Sequence, residues 1–200
     1  MNLTTRLQYA INLSSRLHQN QIRKDFVRTP YISHLVSTMI LLSEITDDED
    51  ILIAGIMHDA LEDVPDYSYE DLKKDCGETV ALLVKGVTEP LDANLPDDMQ
   101  MPWMDRKKAY LETLRNANDK SILISVADKT HNLGSLIYDL EENNHNVFKR
   151  AVGNLDKVSW FYEELLSLFK ERLGNDHSLV LKYSKALTDA KEALSKYENK

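Results

Sequence analysis

At 200 residues the chain can bury a full hydrophobic core and is read as one domain, or one domain with an appended helical element. Its formal net charge of -9 excludes the phosphate-neutralising surface of a duplex-DNA binder, and the lack of 18 consecutive apolar residues excludes a membrane-spanning helix. Cys76 is the single cysteine, so no internal disulfide can form; the start Met1-Asn2-Leu3-Thr4-Thr5-Arg6 lacks a signal peptide's apolar run, and a cytoplasmic location is expected.

Glycine and proline are scarce, and apolar residues recur at three and four, so the expected fold is all-α. Leu3, Leu7, Ala10, Ile11, Leu13 and Leu17 predict a first helix to about His18, with Thr4 or Thr5 as cap and His18 on its polar edge. Residues 19 to 31 predict a loop in which Arg23, Lys24 and Arg28 make a basic patch, ordinary for solvated surface, and Pro30 blocks any helix before it. Helical spacing resumes from Ile32 to Ser43 and carries His34, a residue that alone reads as a core histidine with one hydrogen bond.

Next, a helix starting in Asp47-Asp48-Glu49-Asp50 runs through Ile51-Leu52-Ile53-Ala54 into His58-Asp59-Ala60-Leu61-Glu62-Asp63. The spacing pairs His58 with Glu62 and Asp59 with Asp63, one turn apart. Such a group cannot enter an apolar interior unpaired, which leaves a solvated helix end or a divalent cation with an acid/base beside it.

Val64-Pro65-Asp66 is a break, after which Ser68 caps a short helix stopped near Gly77, and Glu78 to about Glu89 is helical again. Residues 90 to 102 hold three prolines and several aspartates and predict a long irregular loop. Trp103 opens a helix to about Asn116 that brings a second basic cluster at Arg106, Lys107 and Lys108. Asp119 is the expected cap of a helix whose run Ile122-Leu123-Ile124-Ser125-Val126-Ala127 is apolar nearly all round and therefore buried. Asp128 follows it and needs a partner, either an arginine salt bridge or a place beside His34, His58 and Asp59; His131 and Asn132 are near enough to line the same cavity. From about Asn146 a long amphipathic helix is expected, broken near Gly174-Asn175-Asp176, with His145 and His177 as surface residues at its borders, and a last helix runs from Ser178 to about Tyr197. These C-terminal helices read as packing or as a homo-oligomer contact.

In this order His34, His58-Asp59 and Asp128 resemble the metal-binding set of an HD-domain metal-dependent phosphohydrolase. Arg23-Lys24, Thr29-Pro30-Tyr31-Ile32-Ser33-His34, His58-Asp59-Ala60-Leu61-Glu62-Asp63, Gly86-Val87-Thr88 and Ala127-Asp128-Lys129-Thr130-His131-Asn132-Leu133 together resemble the hydrolase domain of the RelA/SpoT family, its small stand-alone members included. The resemblance implies an HD-domain helical bundle over residues 1–145, with 146–200 as a C-terminal helical extension packing on the same domain. It implies one Mn²⁺ on His34, His58, Asp59 and Asp128, and removal of the 3′-pyrophosphate of (p)ppGpp to give GDP or GTP. Glu62 and Asp63 match the pair that acts on the attacking water, Arg23 and Lys24 the nucleotide-contacting basic pair, and Asn132 a substrate-side asparagine. Residue types alone also admit Fe²⁺ or Zn²⁺. Arg106 and Lys107 are expected to help neutralise the phosphates.

Leu35, Gly134 and Asp25 depart from the family's usual proline, arginine and small residue at those places, and the loop from Pro90 to Pro102 is longer than usual in the family. Two alternatives follow: the same chemistry on another nucleotide such as NADPH, or an HD module that binds a nucleotide without turnover.

Overall fold

The computed structural model describes residues 2–23, 25, 27–91, 94–96, 99–142 and 155–198; Lys24 of the expected basic pair, and His145, Val147 and Val152, lie outside them. The fold is all-α. Among the described residues the β pairing is a single antiparallel bridge between Ile22 and Pro30. In chain order the helices are α1 (Thr5–Leu17), α2 (Ile32–Ser43), α3 (Glu49–Met57), α4 (Ala60–Asp63), α5 (Tyr69–Cys76), α6 (Glu78–Lys85), α7 (Trp103–Asn116), α8 (Asp119–Glu141), α9 (Leu155–Leu173) and α10 (Ser178–Glu198).

Local chemistry sets most of these boundaries. The Thr4 side chain accepts the Leu7 N–H at the start of α1, and Ser68 with Asp71 forms a complete capping box before α5. Gly77 separates α5 from α6 at φ 95°, a conformation that favours glycine. The cap of α8 is Asn118, whose side chain accepts the Ser121 N–H, rather than the expected Asp119, which is the first helical residue.

The buried centre is α3, in which every residue from Ile51 to Met57 is buried. It packs against α1, α2, α6 and α8. Gly55 allows the closest of these approaches: a Cβ there would lie 2.4 Å from Leu42 Cδ1 on α2. Leu42 is fully buried at that contact, and removing such a side chain from water is worth about 2 kcal/mol.

The helix expected to run unbroken to Asp63 stops at Met57, and His58 and Asp59 form a turn before α4. Two side chains satisfy the carbonyls at this helix end: Ser14 Oγ of α1 donates to Ile56 O at 2.8 Å, and His58 Nδ1 bonds Gly55 O at 2.8 Å. The turn therefore presents His58 and Asp59 off the end of the buried helix, toward α2 and α8.

On the far side, α10 packs along α8, and α9 packs on α7, α8 and α10. Arg172 of α9 fastens the α7–α8 corner, donating to the carbonyls of Leu114 (3.3 Å), Arg115 (3.1 Å) and Ala117 (2.7 Å) and to Asp119 Oδ1 (2.8 Å). His18 departs from the sequence reading: it is buried at the end of α1 rather than on a polar edge, because its ring stacks on Tyr31 at 5.4 Å.

Candidate active site

Three chain segments bring four ionisable side chains to one point. His34 comes from the first turn of α2, His58 and Asp59 from the turn after α3, and Asp128 from the middle of α8. His34 Nε2 lies 3.5 Å from Asp59 Oδ2 and 3.2 Å from Asp128 Oδ1, and His58 Nε2 lies 3.2 Å from Asp59 Oδ1 and 3.7 Å from Asp128 Oδ1. One ligand atom each from His34, His58 and Asp59 lies within 4.8 Å of the others, and all four residues are buried.

The remote nitrogens of both rings are engaged: His58 Nδ1 at Gly55 O and His34 Nδ1 at His131 Nδ1, 2.8 Å away. Both Nε2 atoms are thereby turned to the shared point, as outer partners orient metal-binding imidazoles. His58 Nε2 is completely buried and has no hydrogen-bond partner. Leaving such an atom unsatisfied costs about 1–3 kcal/mol, which a cation among these donors would remove. Two imidazoles and two carboxylates fit a divalent ion of the Mn²⁺, Fe²⁺ or Zn²⁺ class.

Electrostatics give the same picture. Burial opposes charge on His58, yet the neighbouring carboxylates of Asp59 and Asp128 outweigh it and raise the ring to about 9. Burial likewise works against ionisation of Asp59, and the His58 and His34 rings overcome it, holding Asp59 below the ordinary carboxylate range. Asp128 is also held well below that range against its burial, chiefly by Lys129. Lys129 Nζ lies 2.6 Å from Asp128 Oδ2 and over the Tyr110 ring at 5.0 Å, which compensates a largely buried ammonium.

Beside this point opens a cavity of about 1230 Å³, and Arg23, Glu62, Asp63, Arg106, Lys107 and Asn132 all line it. Asn132 donates to Asp128 Oδ1 at 2.6 Å and accepts from Arg23 at 3.0 Å, linking the histidine–aspartate cluster to the arginine. Burial, and then Asp59, push Glu62 up to about 8 with Lys129 pulling the other way; burial and Asp59 also push Asp63 up to about 6. Glu62 Oε2 accepts the Glu89 N–H at 3.0 Å, which fixes its carboxylate at the cavity edge.

Arg106 and Lys107 reach the cavity as paired cations. Arg106 Nε lies 2.5 Å and Lys107 Nζ 2.6 Å from the carboxylate of Glu89, which is only 4% exposed and needs both. Asp25 is turned into its own loop, where Oδ1 accepts the Thr29 N–H at 2.9 Å. At Gly134 a Cβ would meet nothing within 4 Å, so packing does not require the glycine.

Several contributors are absent from the sequence reading. Glu89 gives no signal, because its partners lie 17 and 18 residues away across an irregular loop. Val158 and Tyr162 bring α9 into the cavity wall, although the C-terminal helices carry no motif. The Tyr31 hydroxyl, which donates to Asp59 Oδ2 at 2.7 Å, sits in a block matched for His34 alone.

Comparison with known proteins agrees with this geometry. The HD domain model matches residues 10–154. The chain is 35% identical over 136 residues to guanosine-3′,5′-bis(diphosphate) 3′-pyrophosphohydrolase MESH1 of Danio rerio, covering 66% of this chain and 70% of that protein. It is 34% identical over 137 residues to the bifunctional (p)ppGpp synthase/hydrolase SpoT of Escherichia coli (strain K12), covering 66% of this chain and 18% of SpoT. A solved structure described as a metazoan ortholog of SpoT that hydrolyzes ppGpp superposes with a TM-score of 0.72 at 25% identity, covering 94% of this chain and 97% of that one. A helical bundle that gathers two histidines and two aspartates where the HD model matches, with relatives of this kind, has one assignment: the chain belongs to the HD-domain family, among the homologues of MESH1 and of the SpoT hydrolase domain.

Proposed function

We propose that the protein is a Mn²⁺-dependent (p)ppGpp 3′-pyrophosphohydrolase; MESH1 is a guanosine-3′,5′-bis(diphosphate) 3′-pyrophosphohydrolase, and the metazoan SpoT ortholog hydrolyzes ppGpp. The observation that carries the reading is the convergence of His34, His58, Asp59 and Asp128 beside a cavity edged by the carboxyl groups of Glu62 and Asp63. His34 and His58 would hold the ion through Nε2, and Asp59 and Asp128 through their carboxylates. When bound, the ion supplies Lewis-acid polarisation and a lowered pKa for water.

The chain's own groups do the rest. Glu62, held by the Glu89 amide, takes a proton from the water as the water oxygen bonds the 3′-phosphorus, and Asp63 orients that water. The bond from that phosphorus to the 3′-oxygen breaks, pyrophosphate leaves carrying the water oxygen, and the 3′-oxygen takes up the proton that Glu62 received, giving GDP or GTP. Arg23 and Asn132 face the nucleotide, and the resemblance assigns Lys24 to the same role. Arg106 and Lys107, held by Glu89, supply a fixed positive wall to the phosphates. In this reading residues 1–145 carry the chemistry, 146–200 form an extension on the same domain, and α9 closes one side of the cavity. Among the described residues no helix is long and apolar enough to cross a membrane; a reduced, buried Cys76 suits the cytoplasm proposed here.

The test is a substrate panel: purified protein with Mn²⁺ against (p)ppGpp, NADPH and common nucleoside phosphates, with chelator and His58→Ala controls. Release of pyrophosphate from (p)ppGpp, abolished by both controls, is expected. Turnover of NADPH alone would change the substrate, and no turnover of any compound would leave a nucleotide-binding module.

A further inference from the structure

Tyr31 touches more parts of the site than any single role assigned above. It stands at the residue before α2, where its N–H bonds Gln21 O at 3.0 Å and its carbonyl accepts the His34 N–H at 3.0 Å. One ring face stacks on the buried His18 at an interplanar angle of 17°. The Arg23 guanidinium lies over the ring at 5.7 Å, and the His34 ring meets it edge-on at 5.7 Å. Its hydroxyl donates to Asp59 Oδ2 at 2.7 Å.

The phenol has one proton to donate, and it goes to Asp59 Oδ2, which also lies 3.5 Å from His34 Nε2, while Asp59 Oδ1 lies 3.2 Å from His58 Nε2. The hydroxyl therefore fixes the rotation of the Asp59 carboxylate between the two imidazoles. Asp63 lies four residues on and edges the cavity. His18 supports the ring from behind: its Nδ1 pairs with Gln21 Oε1 at 2.6 Å, and Gln21 Nε2 donates to Asp63 O at 2.5 Å, so the same network holds both ends of the 59–63 turn.

We propose that Tyr31 is a positioning residue for metal binding and hydrolysis: its hydroxyl fixes the rotation of the Asp59 carboxylate between His34 and His58, and its ring seats Arg23. The inference rests on the hydrolase reading for its kinetic part and stands apart from it for metal binding.

Tyr31→Phe keeps the ring and deletes the hydrogen bond to Asp59. Outer-shell losses of this kind cost 10- to 100-fold, so the Mn²⁺ dissociation constant measured with metal alone is expected to rise about tenfold. The kcat on (p)ppGpp falls by at least the same factor at saturating metal, while KM, which reports the Arg23 seat, changes less than about twofold. The melting temperature of the metal-free protein stays within about 2 °C, since the stacked ring remains. Tyr31→Leu, which removes the ring as well, adds a rise in KM. Wild-type Mn²⁺ affinity and kcat in Tyr31→Phe would overturn the proposal, as would losses matched by collapse of the metal-free melting transition. A wild-type protein inert toward (p)ppGpp but with Mn²⁺ binding weakened by Tyr31→Phe would sink the hydrolase reading and leave this inference standing.

Discussion

The rings of His34 and His131 meet Nδ1 to Nδ1 at 2.8 Å, a hydrogen bond in which one nitrogen must donate and the other accept. If His34 Nε2 keeps its lone pair for an ion, His34 Nδ1–H is the donor and His131 stays neutral. Burial first, and then His34 and Arg23, push His131 down to about 4 from an ordinary value of 6.5.

This sets a pH dependence. Between pH 6.5 and about 4 the unfolded chain binds a proton at His131 that the folded protein does not, so stability present above pH 6.5 is lost as pH falls through that window. The shift corresponds to at most about 3 kcal/mol, reduced to about 1.5 kcal/mol by solvent screening of a partly exposed ring. Urea unfolding of metal-free protein at pH 7 and pH 4.5 should show a smaller acid loss in His131→Gln than in wild type. Equal losses would remove His131 from the account.

Metal binding should expel a proton. With His58 raised to about 9, its ring is charged at pH 7.5 in the metal-free protein and must deprotonate to serve as a ligand. Mn²⁺ titrations in Tris and HEPES should differ in enthalpy by about one proton's worth of buffer ionisation, and affinity should weaken about tenfold per pH unit below 9. Buffer-independent enthalpies would mean that His58 is neutral beforehand or takes no part.

Glu62→Gln retains the contact with the Glu89 amide and deletes the proton acceptor. Turnover should fall by about 10²- to 10⁴-fold with Mn²⁺ affinity unchanged. Undiminished activity would shift the base role to Asp63.

Two glycines should answer alanine in opposite senses. Gly55→Ala forces Leu42 aside at the α2–α3 contact and is expected to cost about 1–3 kcal/mol. Gly134→Ala, in an exposed turn of α8 with open space around it, should gain about 0.5–1 kcal/mol. Thermal melts of the two variants distinguish them; a stabilised Gly55→Ala would contradict the close approach that sets His34 opposite His58.

The parts of the site visible in the sequence are those that violate a local rule. His34, the His58-Asp59 pair and Asp128 sit in apolar helical runs where ionisable groups do not belong, so each announces an unmet need. Helical periodicity gave the all-α fold for the same reason, since the pattern is local. Contacts fixed only by the tertiary fold left no such trace. The break in the central helix at His58 depends on Ser14, 42 residues from the carbonyl it satisfies. His18 resembles any polar helix end until Tyr31 covers it, and Arg106 and Lys107 look free until Glu89 is found between them.

The central claim is that residues from α2, the turn after α3, and α8 hold one ion together. Crystals grown with MnCl₂ and measured at the manganese absorption edge test it directly. The account predicts a single strong anomalous peak within coordination distance of His34 Nε2, His58 Nε2, Asp59 and Asp128, absent from His58→Ala crystals. A peak bound by other residues, or none at the shared point at saturating Mn²⁺, would contradict it.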